Sequence, residues 1–314
     1  MPITRKHLLF ALMCLIWGLT WIAIKTGVTA LPPFLFASLR FLAAGSLLML
    51  LGRLRGGSSS PSGYWPRVVI AALLVNTACY GFLFWGMQHV SSAVSAVVNL
   101  ALITVGLFSI GLVSREESFS TRKLVSIGVG VVGLTILFLP KLSVQEEAPT
   151  LAGMAALVAG TLAYCWGSVL SRPLLRHLDT LTLSGLHSLI GGIALAALAF
   201  AFETVDSTTL SHFFSAAVFA SWLFLVLGGS VIAFTIYLGL LRDWEPSRAG
   251  LYAFVSPVIA VAVGVGVFEE PFGVFETAGS LILLGAAALA LSPAKEGGTR
   301  AMFDARPLQN PKRT

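Results

Sequence analysis

Residues 246–291 read PSRAGLYAFVSPVIAVAVGVGVFEEPFGVFETAGSLILLGAAALAL, and this stretch decides the fold. It contains an apolar run, a polar break with the sequence EEPF at residues 269–272, and a second apolar run. Residues 93–139 form a weaker copy, in which EESF at residues 116–119 provides the break, 153 positions before its counterpart. A pattern that occurs twice at a fixed spacing indicates an internal repeat.

The composition predicts that the chain is surrounded by lipid. Of its 314 residues, 56% are hydrophobic and 11% are charged, and the mean hydropathy is +0.89. A soluble domain has about a quarter charged residues. Apolar stretches of about 20 residues recur along the sequence, and at about 1.5 Å per residue each can cross a hydrocarbon core of about 30 Å. The chain is therefore expected to be a membrane protein without a soluble domain.

The apolar segments predict ten transmembrane helices, five in each copy. We expect them at residues 8–28, 33–51, 67–88, 92–113, 122–139, 151–171, 180–202, 216–241, 247–268 and 273–291. Because the first copy contains an odd number of helices, the second copy enters the membrane from the opposite side. The predicted fold class is an all-α membrane protein whose ten transmembrane helices form two inverted five-helix repeats.

Polar stretches set the predicted boundaries of the repeats. The first repeat is expected to cover residues 1–141 and the second residues 149–292, joined outside the membrane by residues 140–150. Residues 52–66 are rich in Gly, Ser and Pro and are expected to form a flexible loop. Residues 293–314 have few apolar side chains, which predicts a disordered, basic cytoplasmic tail.

The distribution of basic residues predicts that both termini face the cytoplasm. With the N-terminus inside, 17 of the 20 Lys and Arg residues fall on the cytoplasmic side, whereas Glu203, Glu269 and Glu270 fall outside. Short cytoplasmic loops carry such an excess of Lys and Arg. The net charge of +6 is thus explained by orientation in a bacterial-type cytoplasmic (inner) membrane, and no nucleic-acid surface is expected.

Arg40 is the charged residue predicted to lie deepest in the membrane. It lies seven residues into the second predicted helix, about 10 Å from the outer end at the helical rise. A cation at this depth needs a partner or water. Arg40 therefore either bonds to helix-end carbonyl groups or recognises a carboxylate at the mouth of a cavity. Lys25 lies nearer a helix end, where its long side chain is expected to reach the membrane surface.

His187 occupies the position in the second copy that Arg40 occupies in the first. It lies seven residues into the seventh predicted helix, which enters from the inner side. Because histidine titrates near neutral pH and can carry a proton, we treat His187 as a proton-coupling candidate. The alternative is a structural hydrogen bond to a neighbouring helix.

Aromatic and uncharged polar residues complete the candidate substrate site. Those expected to form an apolar wall are Trp17, Tyr80, Trp166 and Tyr252, and those expected to supply hydrogen bonds are Asn76, Asn99 and Ser256. Within this set, Trp17 and Trp166 are interpreted as equivalent positions, since each is followed by glycine. The alternatives are core packing for the aromatic rings and helix-to-helix bonds for the polar groups.

Several functional patterns are missing from the sequence. No Asp or Glu lies in the middle of a predicted helix, so a cavity should favour neutral, zwitterionic or anionic solutes. The sequence has no Walker A motif and no hydrolase or zinc-protease motif, which predicts a protein that is not an enzyme and uses no cofactor or metal. The cysteines Cys14, Cys79 and Cys165 lack metal-binding spacing and are interpreted as small packing residues.

A group of residues in both copies matches a known pattern. They are Trp17-Gly18, Pro33 through Arg40-Phe41, Glu117, Glu270-Pro271 and Gly279. The chain in this respect resembles the EamA-type members of the drug/metabolite transporter superfamily, over nearly all of residues 8–291. The first copy departs from the pattern at Ser118 and Ser126. The resemblance implies two inverted five-helix halves around a central cavity, usually exporting amino acids, related metabolites or toxic compounds.

The sequence thus predicts a secondary transporter in the lipid bilayer. It is expected to export a small metabolite, such as an amino acid or derivative, by alternating access, with proton coupling if His187 carries a proton. Within transport, the alternative is a multidrug or toxic-compound efflux carrier. Outside transport, the alternatives are a membrane enzyme or a scaffold protein.

Overall fold

The computed structural model describes residues 4–56, 61–87, 89–90, 92–142, 151–268 and 273–291. Within these ranges, ten helices are long and apolar enough to cross a membrane. They are α1 (Arg5–Ala30), α2 (Pro33–Leu54), α3 (Trp65–Gly86), α4 (Val94–Val113), α5 (Thr121–Pro140), α6 (Leu151–Leu174), α7 (Thr180–Phe202), α8 (Ala216–Asp243), α9 (Pro246–Gly266) and α10 (Val274–Leu291). Each boundary lies within three residues of the one expected from the apolar pattern, so the prediction of ten membrane helices is confirmed.

Helix ends follow the local sequence. α2 starts with Pro33, a residue without an N–H group that suits the first helical position. α7 is preceded by Asp179, whose side chain accepts a hydrogen bond from the Thr182 N–H at 2.9 Å and so caps the helix. Because successive helices alternate in direction, the bundle has two ends. We call the end with Arg5 and Leu291 the terminal end and the opposite one the far end.

The third helix of each half contains a π-helical segment. These segments are Leu73–Ala78 within α3 and Leu225–Phe234 within α8. A π segment widens the helical turn, and such segments are frequent at functional sites. No periodicity in the sequence predicted them, yet they lie at corresponding places in the two halves.

Contacts between the halves come in corresponding pairs. α2 packs along α7, where Gly45 approaches Leu189 and Gly192 approaches Leu42. The equivalent positions in these two contacts are 147 residues apart, 42 with 189 and 45 with 192. α5 packs along α10, α1 packs on α8 and α9, and α6 packs on α3 and α4. Each helix of one half thus packs on the counterparts, in the other half, of the helices on which its own counterpart packs, as expected for two repeats.

The contacts correct one predicted equivalence. Gly18 packs against Ser256 and Ile259, and Cys165 packs in the same way against Ile103 and Gly106. These matching contacts show that Gly18 corresponds to Cys165. The counterpart of Trp17 is therefore Tyr164, the residue before Cys165. Matching Trp17 to Trp166 was wrong by two residues, which turns a helical position by about 200°.

The loop between α7 and α8 contains an unpredicted short helix, Ser207–Phe213. Its first turn is capped by Asp206, which accepts a hydrogen bond from the Thr209 N–H at 2.7 Å. The spacing between equivalent residues changes from 147 before this loop to 153 after it. Part of the predicted loop 52–66, most of the connector 140–150, the pair Glu269-Glu270 and the tail lie outside the described residues.

Candidate functional site

A cavity of about 150 Å³ lies between the two halves. A cavity of this size holds a molecule about as large as benzene. Seven of the nine predicted site residues line it: Trp17, Arg40, Asn76, Tyr80, Asn99, Tyr252 and Ser256. The sequence thus identified the residues that meet at one cavity, whereas their roles in binding stay predictions.

The fold brings these residues together in two ways. On α1, Trp17, Thr20 and Ile24 share one face because residues three, four and seven positions apart lie above one another on a helix. The π segments of α3 and α8 contribute Asn76 and the Gly229–Ser230 pair. The wider π turns therefore expose polar and backbone groups to the cavity.

Arg40 is the charged residue of the cavity lining. It is buried, with 5% of its surface exposed, and its Nε donates a hydrogen bond to Ser230 Oγ at 2.9 Å. The guanidinium carbon lies 5.0 Å from the centre of the Phe41 ring and 5.9 Å from that of Tyr80. Among the described residues, no carboxylate lies within ion-pairing distance of Arg40. The protein holds the cation in place without neutralising it.

Three aromatic rings form a further part of the lining. The Trp17 ring lies 4.4 Å from the Tyr252 ring in an edge-to-face arrangement, and Trp17 Nε1 donates to the Gly229 carbonyl at 3.3 Å. Tyr252 Oη donates to Tyr164 Oη at 2.9 Å. Because each polar atom is bonded within the protein, the rings present mainly apolar surface to the cavity.

The amide side chains differ in how fully they are bonded. Asn99 Nδ2 donates to Thr161 Oγ1 at 3.0 Å, which ties α4 to α6. The Nδ2 atom of Asn76 is buried and has no partner. A buried donor without a partner is unfavourable by about 1–3 kcal/mol, so Asn76 differs from Asn99 in having an unused hydrogen-bond donor. Ser256 Oγ already donates to the Cys14 carbonyl at 3.2 Å.

Two predicted site residues do not line the cavity. Trp166 is 49% exposed on the outer surface of the bundle, as its two-residue offset from Tyr164 requires. His187 is fully buried behind Phe234, whose ring centre is 6.1 Å away and which itself lines the cavity. Neither ring nitrogen of His187 has a hydrogen-bond partner, so the alternative of a structural bond is also not observed.

Several lining residues were not among the nine predicted site residues. Tyr164 and Ser230 are polar and lie deep in predicted helices, and helical spacing from Trp17 would have identified Thr20. Cys79, interpreted as a packing residue, also lines the cavity. Phe41, Phe84 and Phe234 gave no signal, because phenylalanine inside a membrane helix fits lipid, core and cavity equally well.

The described residues contain no cluster of three or more His, Cys, Asp or Glu side chains able to hold a metal ion. The chemistry of the site is instead that of a small, mostly apolar cavity with one cation and a few hydrogen-bonding groups. A cavity with a few polar groups, inside a bundle of ten membrane helices in two halves, is the arrangement of a membrane transporter.

Comparison with known proteins gives the family. The EamA-like transporter family matches residues 4–139 and again residues 151–292, and the chain belongs to this family. It is 31% identical over 271 residues to the uncharacterized inner membrane transporter YedA of Escherichia coli K12, covering 85% of this chain and 84% of YedA. It is 28% identical over 275 residues to the uncharacterized transporter YoaV of Bacillus subtilis, covering 86% and 90%.

The fold is also found among solved structures. One crystal structure superimposes with a TM-score of 0.78, covering 91% of this chain and 96% of the other, at 20% sequence identity. At this identity, the likeness concerns the fold alone. Together, the family and the ten apolar helices make the chain a multi-pass membrane transporter.

Proposed function

We propose that this transporter is a secondary carrier for small zwitterionic or anionic metabolites, such as amino acids or their derivatives. Its solute would bind in the central cavity with its carboxylate at Arg40 and its apolar part against Trp17 and Tyr252. The carrier would work in the cytoplasmic (inner) membrane with both termini in the cytoplasm, and would export its solute by alternating access.

The observation that carries this proposal is the buried, unneutralised charge of Arg40. A desolvated guanidinium needs an anionic partner, and a planar fork of N–H donors matches a carboxylate. Ser230 accepts the Nε hydrogen bond and Tyr80 lies beside the guanidinium, so its remaining N–H donors are the natural place for the solute. The unpartnered Asn76 donor on the same lining supports a second hydrogen bond to it.

The size and lining of the cavity limit the solute. A volume of about 150 Å³ suits a compact molecule. The lining residues include one cation and no carboxylate, so a lipophilic cation would lose its hydration without gaining a counter-charge. This argues against multidrug efflux of cationic compounds, although efflux of small anionic toxins fits the same site.

Untargeted metabolite profiling of medium from cells that overproduce the carrier would identify the exported solute. We expect one or a few small carboxylates to accumulate compared with cells that produce the Arg40→Gln variant at the same membrane level. Accumulation of amines or other cations, or equal profiles for both proteins, would contradict the proposal.

Proton coupling through His187 stays a prediction with its own test. Purified carrier in liposomes, loaded with the identified solute, should transport faster when a pH gradient is imposed, and the His187→Gln variant should lose this response. Flux independent of the gradient would make the protein a facilitator. Because Phe234 separates His187 from the cavity, a proton can reach this side chain only in another conformation.

A further inference from the structure

The terminal end of the bundle is closed by a cluster of charged residues from both halves. Glu117 accepts hydrogen bonds from the Ser247 N–H at 2.8 Å and from Lys123 Nζ at 2.5 Å. Glu245 accepts from the same Lys123 ammonium at 2.5 Å and from the Ser118 N–H at 3.0 Å. We call Glu117, Ser118, Lys123, Glu245 and Ser247 the latch. Its bonds between 117–123 and 245–247 join the first half to the second.

A further ion pair at the same end also joins the halves, and its arginine makes a second bond within its own half. Arg172 Nη1 lies 2.8 Å from Glu116 Oε2, and Arg172 Nε donates to the Leu241 carbonyl at 3.2 Å. Arg176 reaches the same carboxylate at 3.2 Å but is mostly exposed. The loop between α4 and α5 is thereby bound to the end of α6, which is in turn bound to the end of α8.

The surroundings of the latch shift the pKa of both of its carboxyl groups. Burial raises the pKa of Glu117, even though Lys123 and Ser247 donate hydrogen bonds to it. Burial acts in the same direction on Glu245, but the bonds from Lys123 and Ser118 hold the pKa of that carboxyl below its ordinary value. Lys123 thus lies between two carboxylates and is the group on which the latch depends.

Between the cavity and the latch lies a layer of buried polar side chains. Tyr237 packs edge-on against Tyr252 with ring centres 5.9 Å apart, His187 lies behind Phe234, and Ser168 is one helical turn from Tyr164 toward the terminal end. We call Ser168, His187 and Tyr237 the floor. All three are at most 1% exposed, and neither ring nitrogen of His187 has a hydrogen-bond partner. The Tyr237 hydroxyl lies beside those of Ser168 and Tyr164 and interacts with both.

A polar floor needs an explanation, because burying polar groups is unfavourable unless they are well hydrogen-bonded. Apolar packing would close this end more stably than partly buried ion pairs and buried polar side chains. Polar side chains are suited to a part of the protein that is closed in one conformation and exposed to water in another, because water can solvate them after opening. In contrast, Ile24 and Tyr80 on the far side of the cavity remain partly exposed.

We infer that the floor is the closed exit of the cavity toward the terminal end, and that the latch holds it closed. The structure then corresponds to a carrier open to the far end, and breaking the Lys123 contacts opens the route through Ser168, His187 and Tyr237. This inference rests on the proposed function, since it assigns the two sides of an alternating-access cycle.

The native cysteine Cys79 provides a reporter, because it lines the cavity. In a Cys14→Ala, Cys165→Ala background it is the single thiol of the chain. A small, anionic, membrane-impermeant methanethiosulfonate is added to one side of sealed membrane vesicles of known orientation. We expect Cys79 to react from the far side and to be protected from the terminal side, because thiol modification requires access.

The test variant is Lys123→Met, which removes both ion pairs. Its rate of labelling from the terminal side should rise about tenfold or more as the open population grows. The matched control is Lys6→Met, which removes the Lys6–Asp243 ion pair (3.0 Å) at the same end but outside the latch. Lys123→Arg, which keeps the charge, should stay protected.

If Lys123→Met does not reach the membrane, Glu245→Gln tests the same contact from its half-exposed side. Ser168→Cys, in a background that also carries Cys79→Ala, then reports on the floor itself. An unchanged terminal-side rate in a folded latch variant would overturn the inference, as would an equal increase in Lys6→Met. Labelling needs no solute, so its failure is distinguishable from failure of carboxylate binding at Arg40.

Discussion

Arg40 and His187 occupy equivalent positions in the two halves, seven residues into α2 and α7, but their surroundings differ. Arg40 lines the cavity and is bonded to Ser230, whereas His187 is sealed behind Phe234 without a hydrogen bond. Trp17 and its true counterpart Tyr164 both line the cavity. The halves are therefore alike in backbone and packing but unlike in which side chains meet the cavity.

The largest expected effect is on solute affinity, and it distinguishes variants of Arg40 from variants of His187. Arg40→Gln removes the charge that would hold the carboxylate, and losing one partner of a buried charge pair costs about 2–5 kcal/mol. We expect the Kd of the solute to rise about 100-fold, whereas His187→Gln should change it less than about twofold. Binding by purified protein, measured calorimetrically, would check both values.

The Arg40→Lys variant refines this comparison. A lysine keeps the charge but not the planar fork of donors, so we expect intermediate affinity. Equal affinity of Arg40→Gln and the unmodified protein would restrict Arg40 to a structural role, and a larger loss in His187→Gln would reverse the assignment of the two halves.

The next largest effect is the difference in solute affinity between variants of Trp17 and Trp166, the two tryptophans that the sequence analysis matched as equivalent positions. Trp17→Ala removes a ring that contacts Tyr252 and a hydrogen bond to Gly229. It should weaken binding about tenfold, by about 1.4 kcal/mol. Trp166→Ala removes a ring from the lipid-facing surface and should leave affinity unchanged within about twofold. Similar losses of affinity in both variants would contradict the match of Trp17 with Tyr164.

The smallest effect tests how similar the halves are in packing. A Cβ atom at Gly45 would lie 2.8 Å from the backbone nitrogen of Leu189, and one at Gly192 would lie 3.0 Å from that of Leu42. Gly45→Ala and Gly192→Ala should therefore each destabilise the bundle by about 1–2 kcal/mol. Gly285→Ala, where a Cβ atom meets no neighbour within 4 Å, is the control and should be neutral or stabilising.

Thermal unfolding in detergent, followed by fluorescence, gives the readout for these glycine variants. The two interface variants should lower the Tm by similar amounts. If only one of the two variants lowers the Tm strongly, the correspondence of Leu42 with Leu189 and of Gly45 with Gly192 does not extend to the stability of the bundle.

The sequence predicted much of the fold because lipid imposes a simple rule on it. A membrane span must be apolar over its length, so all ten helices were located from hydropathy. Polar residues inside such spans avoid lipid, which is why Arg40, Asn76 and Asn99 were correctly expected to meet inside the bundle.

The rest of the site was not predictable for identifiable reasons. Trp166 was misplaced because tryptophan is equally suited to lipid and to a cavity wall, so the Trp-Gly match gave a register wrong by two residues. The π segments Leu73–Ala78 and Leu225–Phe234 depend on tertiary packing and have no periodic signature. The latch joins residues more than 120 positions apart, from Glu117 and Lys123 to Glu245 and Ser247, and no local pattern links them.

The most direct test of carboxylate recognition at Arg40 uses pairs of solutes that differ in one group. The Tm of the purified protein is measured with a panel of amino acids, each compared at equal concentration with the amine that lacks its carboxylate. At least one amino acid should raise the Tm while its amine does not, and Arg40→Gln should abolish the difference. Stabilisation by the amines equal to that by the amino acids would contradict the account.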